Sequence, residues 1–486
     1  MELDSLPDDA LLQVLRYLDV RELLECRGVC RRWRELALRP LLWRDKRIHS
    51  NMSTKLIAIA LRLVPRLHSL RIDLPLHGDA CDVLLVTPTA ISEVDLKFGA
   101  KDDLLVALIL SRQVSLGRLK KVSLFTRHDI IRTSKRGLRA LLLQICQAPG
   151  LQSLSLCLNV HSDDEEVLNV IKAKVPVPAS LKQLSCFGSL KPYLELLMEW
   201  HANTLEVVSL SSDGPRLTSL LAAMPRLRKL KCPMLPDMQL LRQCLSLTHL
   251  ELNLTDLDDE VVEAGLPGAR LLLCSAAAHL EHLEIMYNPY SSPDVVDLLL
   301  SVGRRSGDTA LRSLRLTISQ WDWEFRCRES FDEDESESPP PQLVPLAAIL
   351  PRLPLLTVLD IDTEASDAFL DALDGQVVPK LERLDIRTPR DGDCDHSWLH
   401  VEEERMRRVM KRYPRLHVFI KDVDKTICRQ GDCGFCKANS CHADMPDGRP
   451  CLLRSHRGTG CGVSHVHYTH SPHWSGFEIY IDTSSG

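Results

Sequence analysis

The spacing of apolar positions divides this chain into regions of different character. At the start, Leu11, Leu12, Leu15 and Leu18 recur at helical spacing and form one stripe, the signature of an amphipathic helix. Ser5 followed by Asp8 resembles a capping box, with Pro7 near the first helical position. Asp19 and Glu22 repeat that pattern ahead of Leu23 and Leu24, and Gly28 can end the short helix that follows. A third helix carries Val29, Trp33, Leu36 and Ala37 before Pro40 stops it. The pattern predicts a three-helix unit over residues 3–47. Such a unit is too small to hold itself together well, so its apolar residues need a partner or the next domain.

From residue 67 the spacing changes to L-x-x-L-x-L. The pattern opens with Leu67-Leu70-Ile72 and Ile91-Val94-Leu96 and passes through Leu151-Leu154-Leu156 and Leu247-Leu250-Leu252. It closes with Leu356-Leu359-Ile361 and Leu381-Leu384-Ile386, and Leu416 with Phe419 starts a degenerate last copy. Twelve copies precede that one, most at intervals of 20 to 35 residues. The alternating L-x-L predicts a short strand with its leucines facing inward. One copy cannot bury its apolar face, but stacked neighbours can. Helix-like runs such as Leu138 to Ile145, Tyr193 to Trp200 and Val295 to Val302 lie between the strands. Asparagine follows the pattern in only two copies, at Asn159 and Asn288, so the array is irregular. It is expected to span residues 52–425.

Alternation also predicts which side chains line the open face of the sheet. In the second half these are Lys229, Lys231, His249, Glu251, His282, Glu284, Met286, Ser313, Arg315, Arg383, Asp385 and Arg387. The lining is mixed in charge and specifies no ligand, and ordinary solvated strand faces would read the same way.

Two segments break the pattern. The acidic run from Glu329 to Pro341, within an insertion over about 328–342, cannot form a core and reads as a solvated loop. Ser336 and Ser338 within it are candidate phosphorylation sites. The tail, residues 426–486, loses leucine and gains Cys, His and Gly. Cys433-Gly-Phe-Cys436 is a C-x-x-C turn of the kind that supplies two zinc ligands. Its second counterpart is missing, and Cys461 to His465 is the nearest substitute. Cys433, Cys436, Cys441, Cys451, Cys461 and His465 are therefore candidate zinc ligands, with reduced structural thiols or disulfides as alternatives. FEIYIDT from Phe477 alternates like a strand that could close the tail against the array.

Composition narrows the function. Net charge is −6, from 60 Lys+Arg against 66 Asp+Glu, which argues against general nucleic-acid binding. No stretch of 18 uncharged apolar residues occurs, so no membrane span is expected. The acidic opening MELDSLPDDALLQ lacks the features of a secretory signal. A cytosolic or nuclear protein with mostly reduced cysteines is expected. None of the common phosphate-loop, dinucleotide, metalloprotease or nucleophile-elbow motifs is present, so no enzyme is expected.

The segment LPDDALLQVLRYLDVRELLECRGVCRRWRELALRPLLW resembles an F-box along its whole length. Leu6-Pro7, the Leu15/Leu18 spacing, Val29-Cys30 with Trp33, and Leu42-Trp43 carry the resemblance, and Asp9 stands where that family often has glutamate. The resemblance implies that Leu6, Pro7, Leu15, Leu18, Val29 and Trp33 bind a Skp-family adaptor, which docks on a cullin scaffold with its RING subunit. On pattern alone, a helical cap with a solvated basic face remains the alternative. The rest of the chain resembles leucine-rich-repeat proteins of the F-box class. Together these imply an α/β fold: a three-helix F-box, then an irregular leucine-rich-repeat solenoid whose repeats recruit a protein substrate for ubiquitination. A leucine-rich-repeat scaffold working without a cullin is the other reading, and a zinc-dependent binding module in the tail is a third.

Overall fold

The computed structural model describes residues 6–76, 80–127, 135–158, 179–188, 190–212, 214, 216–255, 259–287, 295–302, 309–318, 343–374, 378–387, 403–413, 415–420, 465–468 and 477–479. The chain divides into two compact units, Met1–Leu227 and Arg228–Gly486.

The first unit opens with helices α1 (Asp8–Leu15), α2 (Val20–Cys26), α3 (Arg31–Ala37) and a fourth short one, α4 (Pro40–Trp43). The apolar spacing predicts three helices, with Pro40 as a terminator. It serves instead as a first-turn residue, where its missing N–H has no partner to lose. The cap expected for α1 is also different: Pro7 occupies the N-cap and gives no side-chain bond. The α2 box forms as expected, with Glu22 N donating to Asp19 Oδ1 at 2.8 Å and Asp19 N donating to Glu22 Oε2 at 2.7 Å. Leu11, Leu15, Leu23, Leu36, Leu42 and Trp43 make the core of this bundle, and Trp43 Nε1 donates to the Ala37 carbonyl at 2.6 Å.

Two cations staple the bundle. Arg32 Nη2 donates to Asp8 Oδ1 at 2.7 Å and to the Leu6 carbonyl at 2.5 Å, tying α3 to the start of α1. Lys46 Nζ donates to the carbonyls of Arg16 and Leu18 just past the end of α1, where free carbonyls favour a cation. Part of the basic stretch therefore holds the bundle together rather than forming a solvated face.

Seven strands follow in chain order: β1 (Arg47–His49), β2 (Arg66–Asp73), β3 (Ala90–Phe98), β4 (Lys121–Thr126), β5 (Ser153–Cys157), β6 (Gln183–Phe187) and β7 (Val207–Leu210). Each pairs in parallel with the next. The register superimposes the leucines: Leu70, Val94, Val122, Leu154, Leu184 and Val208 are partners in one row. That row is buried throughout, so each strand covers its neighbour's apolar face. β1 was not foreseen, because Ile48 is its one inward apolar residue.

Helices α5 (Thr54–Leu63), α6 (Ala80–Val86), α7 (Asp103–Ser115) and α8 (Lys135–Cys146) return the chain between strands, as do the helices Lys191–His201 and Leu217–Ala222. Gln113 of α7 is buried and ties its helix to β3: its Oε1 accepts from Ile91 N at 3.0 Å and its Nε2 donates to the Thr89 carbonyl at 3.2 Å.

The second unit repeats the plan. Its strands are β8 (Lys229–Pro233), β9 (His249–Asn253), β10 (His282–Tyr287), β11 (Ser313–Ile318), β12 (Val358–Glu364), β13 (Arg383–Arg387), β14 (His417–Ile420), β15 (His465–Tyr468) and β16 (Phe477–Ile479). All pair in parallel with the next except β15 and β16, which are antiparallel. The strand expected at Phe477 is thus present, and the sheet runs past residue 425 into the tail. The long helix Asp259–Ala276 lies so close to the turn Met238–Gln243 that a Cβ on Gly268 would meet Met238 N at 3.0 Å. The acidic run 329–341, with Ser336 and Ser338, lies outside the described residues.

Candidate functional site

Two surfaces carry the residues singled out in the sequence. The first is the helical bundle. Pro7 and Val29 are exposed, while Leu6, Leu18 and Trp33 are half-buried. Leu15 is fully buried and supports the surface from beneath. Residues not singled out in the sequence add to the apolar exposure: Tyr17 is 90% exposed, Leu41 54% and Val14 46%, beside Val29 at 63%. A bundle of about forty residues that leaves these side chains in water has apolar surface to bury against something else. Trp33 Nε1 is enclosed and has no hydrogen-bond partner among the described residues. Cys30 caps α3, its Sγ accepting from Trp33 N at 3.4 Å.

The second surface is the open face of the second unit. Strand register sorts the predicted residues into two rows. Lys229, His249, His282, Ser313, Val358, Arg383 and His417 form one. Lys231, Glu251, Glu284, Arg315, Asp360, Asp385 and Phe419 form the other. Period-2 alternation therefore located the face. Asp360 escapes the sequence reading, although the same rule applied to Leu359 and Ile361 finds it. Phe419, expected at an inward position of the last copy, stands instead on the open face, because the register sets the buried Val418 beside Leu384 and Phe419 beside Asp385. Arg387 is described through its backbone, as the partner of Glu364.

The second row, joined by Arg383 from the first, carries a series of ion pairs. Lys231 pairs with Glu251. Arg315 reaches Glu284 at 3.4 Å and Asp360 at 2.8 Å. Arg383 grips Asp385 with both nitrogens, at 2.7 and 2.8 Å, and lies over the Phe419 ring at 4.2 Å. The hydrogen bond to Asp385 holds the Arg383 guanidinium pKa above its usual value. Burial, then the neighbouring Glu251, pushes the Glu284 carboxyl pKa up. In the first row the rings of His249 and His282 stack, with centroids 4.1 Å apart. Burial lowers the pKa of both, and for His249 the next largest cause is His282 itself.

The first unit's open face differs. Arg71 pairs with Asp95 at 2.8 Å, and the same row continues through Ser123, Ser155, Ser185 and Ser209.

Of the candidate zinc ligands, Cys433, Cys436, Cys441, Cys451 and Cys461 lie outside the described residues, and His465 is placed only by its backbone in β15. Among the described residues, no three His, Cys, Asp or Glu side chains converge to hold a metal ion. No helix among them is long and apolar enough to cross a membrane.

Taken together, the chain is a mixed α/β protein: a small helical domain followed by solenoid-like arrays of parallel strands. Residues 3–49 match the family described as F-box-like, so the helical bundle is an F-box-like domain. Among solved structures, a chain of the Rad7 and Elc1 complex from yeast resembles this one at 14% identity and a TM-score of 0.38, over 80% of this chain and 91% of that one.

Proposed function

We propose that this chain is the substrate-recognition subunit of a cullin-type ubiquitin ligase. The F-box-like bundle binds a Skp-family adaptor, and the strand arrays, read as leucine-rich repeats, hold a protein substrate. One observation carries the reading: a bundle matching the F-box-like family leaves Tyr17, Val29, Leu41 and Val14 in water. Burying exposed apolar area at roughly 25 cal/mol per Å² is the main favourable term an adaptor would exploit. The chain contributes proximity rather than chemistry. Holding a substrate lysine beside a charged conjugating enzyme makes ubiquitin transfer effectively intramolecular. The charged rows of the second unit are the proposed substrate contacts, and the Cys/His tail is a proposed zinc site. The place of action is the cytosol or nucleus.

The test is a pull-down of the full chain, probing for adaptor and cullin, beside the variant Pro7→Ala/Val29→Glu. Both substituted residues are exposed, so the fold should survive, and circular dichroism checks that it does. Binding of both partners to the wild type, with loss in the variant, is the expected result. Adaptor without cullin would point to the scaffold reading, and neither partner would sink the assignment.

A further inference from the structure

The open face of the first unit carries an uncharged slot. Phe125, Cys157 and Phe187 are register partners on β4, β5 and β6. Leu124, Leu156 and Cys186, the residues before them, are buried, so alternation turns the three toward the open side, where all are half-buried. On that side β5 presents only small residues, Ser153, Ser155 and Cys157. Neighbouring strands lie about 4.8 Å apart, which sets the two phenylalanine positions roughly 9.6 Å apart across Cys157.

That width suits a flat ring. Aromatic pairs attract at centroid separations of about 4.5 to 7 Å, and a ring midway between the phenylalanines would lie roughly 4.8 Å from each. Burial raises the pKa of the Cys157 thiol, so the floor is a neutral S–H. A tyrosine O–H or tryptophan N–H needs a partner once covered. Ser155 and Ser185 stand beside that floor, and among the described residues neither hydroxyl has a hydrogen-bond partner.

The surrounding charge restricts the occupant further. Lys97 is the register partner of Phe125 on β3, and Lys121 stands four residues before Phe125 on its own strand. Both are exposed, and among the described residues neither has an ion-pair partner. Asp73 neighbours Lys97 on the side away from the slot. Glu93, beside Lys121, faces His68 at 3.8 Å, and Asp95 is held by Arg71 at 2.8 Å. The two lysines repel an entering cation and attract carboxylates. They are too few for a nucleic-acid strand, whose affinity rests on many phosphate contacts. β4, β5 and β6 are paired on both sides, so a partner meets side chains rather than a free strand edge. We propose that the slot between Phe125 and Phe187 takes an aromatic side chain, flanked by acidic residues, from an extended segment of a partner protein. The inference does not depend on adaptor binding.

The experiment is fluorescence anisotropy with the full-length chain and a labelled degenerate peptide pool carrying one fixed tryptophan between fixed aspartates. Matched pools carry leucine for the tryptophan or lysines for the aspartates. N-acetyltryptophanamide, as a competitor, and labelled oligothymidine form two further arms. The tryptophan–aspartate pool should bind, and Phe125→Ala and Phe187→Ala should each weaken it by about tenfold, a loss of ~1.4 kcal/mol. Cys157→Phe, which fills the slot with a ring of its own, should abolish binding while circular dichroism shows the fold retained. Lys55→Gln, an exposed cation on α5, should leave binding unchanged. Equal binding of the leucine or lysine pool, phenylalanine-dependent binding of oligothymidine, or N-acetyltryptophanamide binding as tightly as the pool would overturn the proposal. So would binding indifferent to both alanine variants, or no binding.

Discussion

His201 offers the sharpest test of how the first unit is held together. It closes the helix Lys191–His201 and is 3% exposed. Its Nδ1 accepts the backbone N–H of Ser180 at 3.2 Å, with Leu181 N at 3.5 Å. The ring is therefore a neutral acceptor satisfying the backbone just before β6. A proton on Nδ1 would point at those donors and place a charge where water cannot reach it. Burial accordingly lowers the pKa from 6.5 to about 4.

The consequence for stability has a definite sign. In the unfolded chain the ring takes up its proton near pH 6.5, but in the folded protein it resists until about pH 4. Protonation thus favours the unfolded state, so the contribution is whole above 6.5 and fades as pH falls toward 4. At about 1.4 kcal/mol per tenfold change in proton affinity, the full span is worth about 3 kcal/mol. By roughly pH 5, about 2 kcal/mol should be gone. The assay is urea unfolding of wild type and His201→Gln at about pH 7.5 and pH 5, followed by tryptophan fluorescence. Other titrating groups cancel in the comparison. The variant should be less stable at the higher pH, and its deficit should shrink by about 2 kcal/mol at the lower. A deficit constant with pH, or an NMR titration of His201 centred near 6.5, would refute the argument.

Two further substitutions probe other elements. Arg315→Ala should cost about 1 to 2 kcal/mol, because it removes one ion-pair partner of the Asp360 carboxylate, which is 2% exposed, while the half-exposed Arg315 site lets some solvent in. Adding Asp360→Asn should recover part of that loss in chemical denaturation, and strictly additive costs would show that the pair does not interact. Gly188→Ala should lower stability by about 1 to 3 kcal/mol. Gly188 has φ +101°, and an added Cβ would sit 2.5 Å from the Leu158 carbonyl oxygen. An unchanged melting temperature would show that this turn relaxes freely.

The fold was legible wherever burial imposes a period. Each L-x-L became a strand with its leucines inward, because stacking leaves no other place for them. What escaped depended on register or on partners distant in sequence. β1 shows one apolar residue, Ile48, and no period can be read from one position. His201 looked like any polar residue ending a helical run. Its role rests on the backbone of Ser180, on the chain before another strand. Pro40 misled because terminating one helix and starting the next demand the same residue.

The charged face shows a further reason why composition alone misleads. Counted with Arg383 of the neighbouring row, the second unit's charged row holds four acids and three cations and is close to neutral. Its acids, however, lie deep: Asp360 and Asp385 are 2% exposed and Glu251 14%, while Arg315 is 45% exposed, Arg383 46% and Lys231 33%. Reach explains the order. Short carboxylates on a packed strand stay near the sheet, and the longer lysine and arginine arms fold over them to pair and keep their ends in water. The outermost layer is therefore more cationic than the sequence total. Each cation is restrained by the acid beneath it, so a partner would meet guanidiniums already oriented, at a smaller entropic cost than free surface arginines would impose.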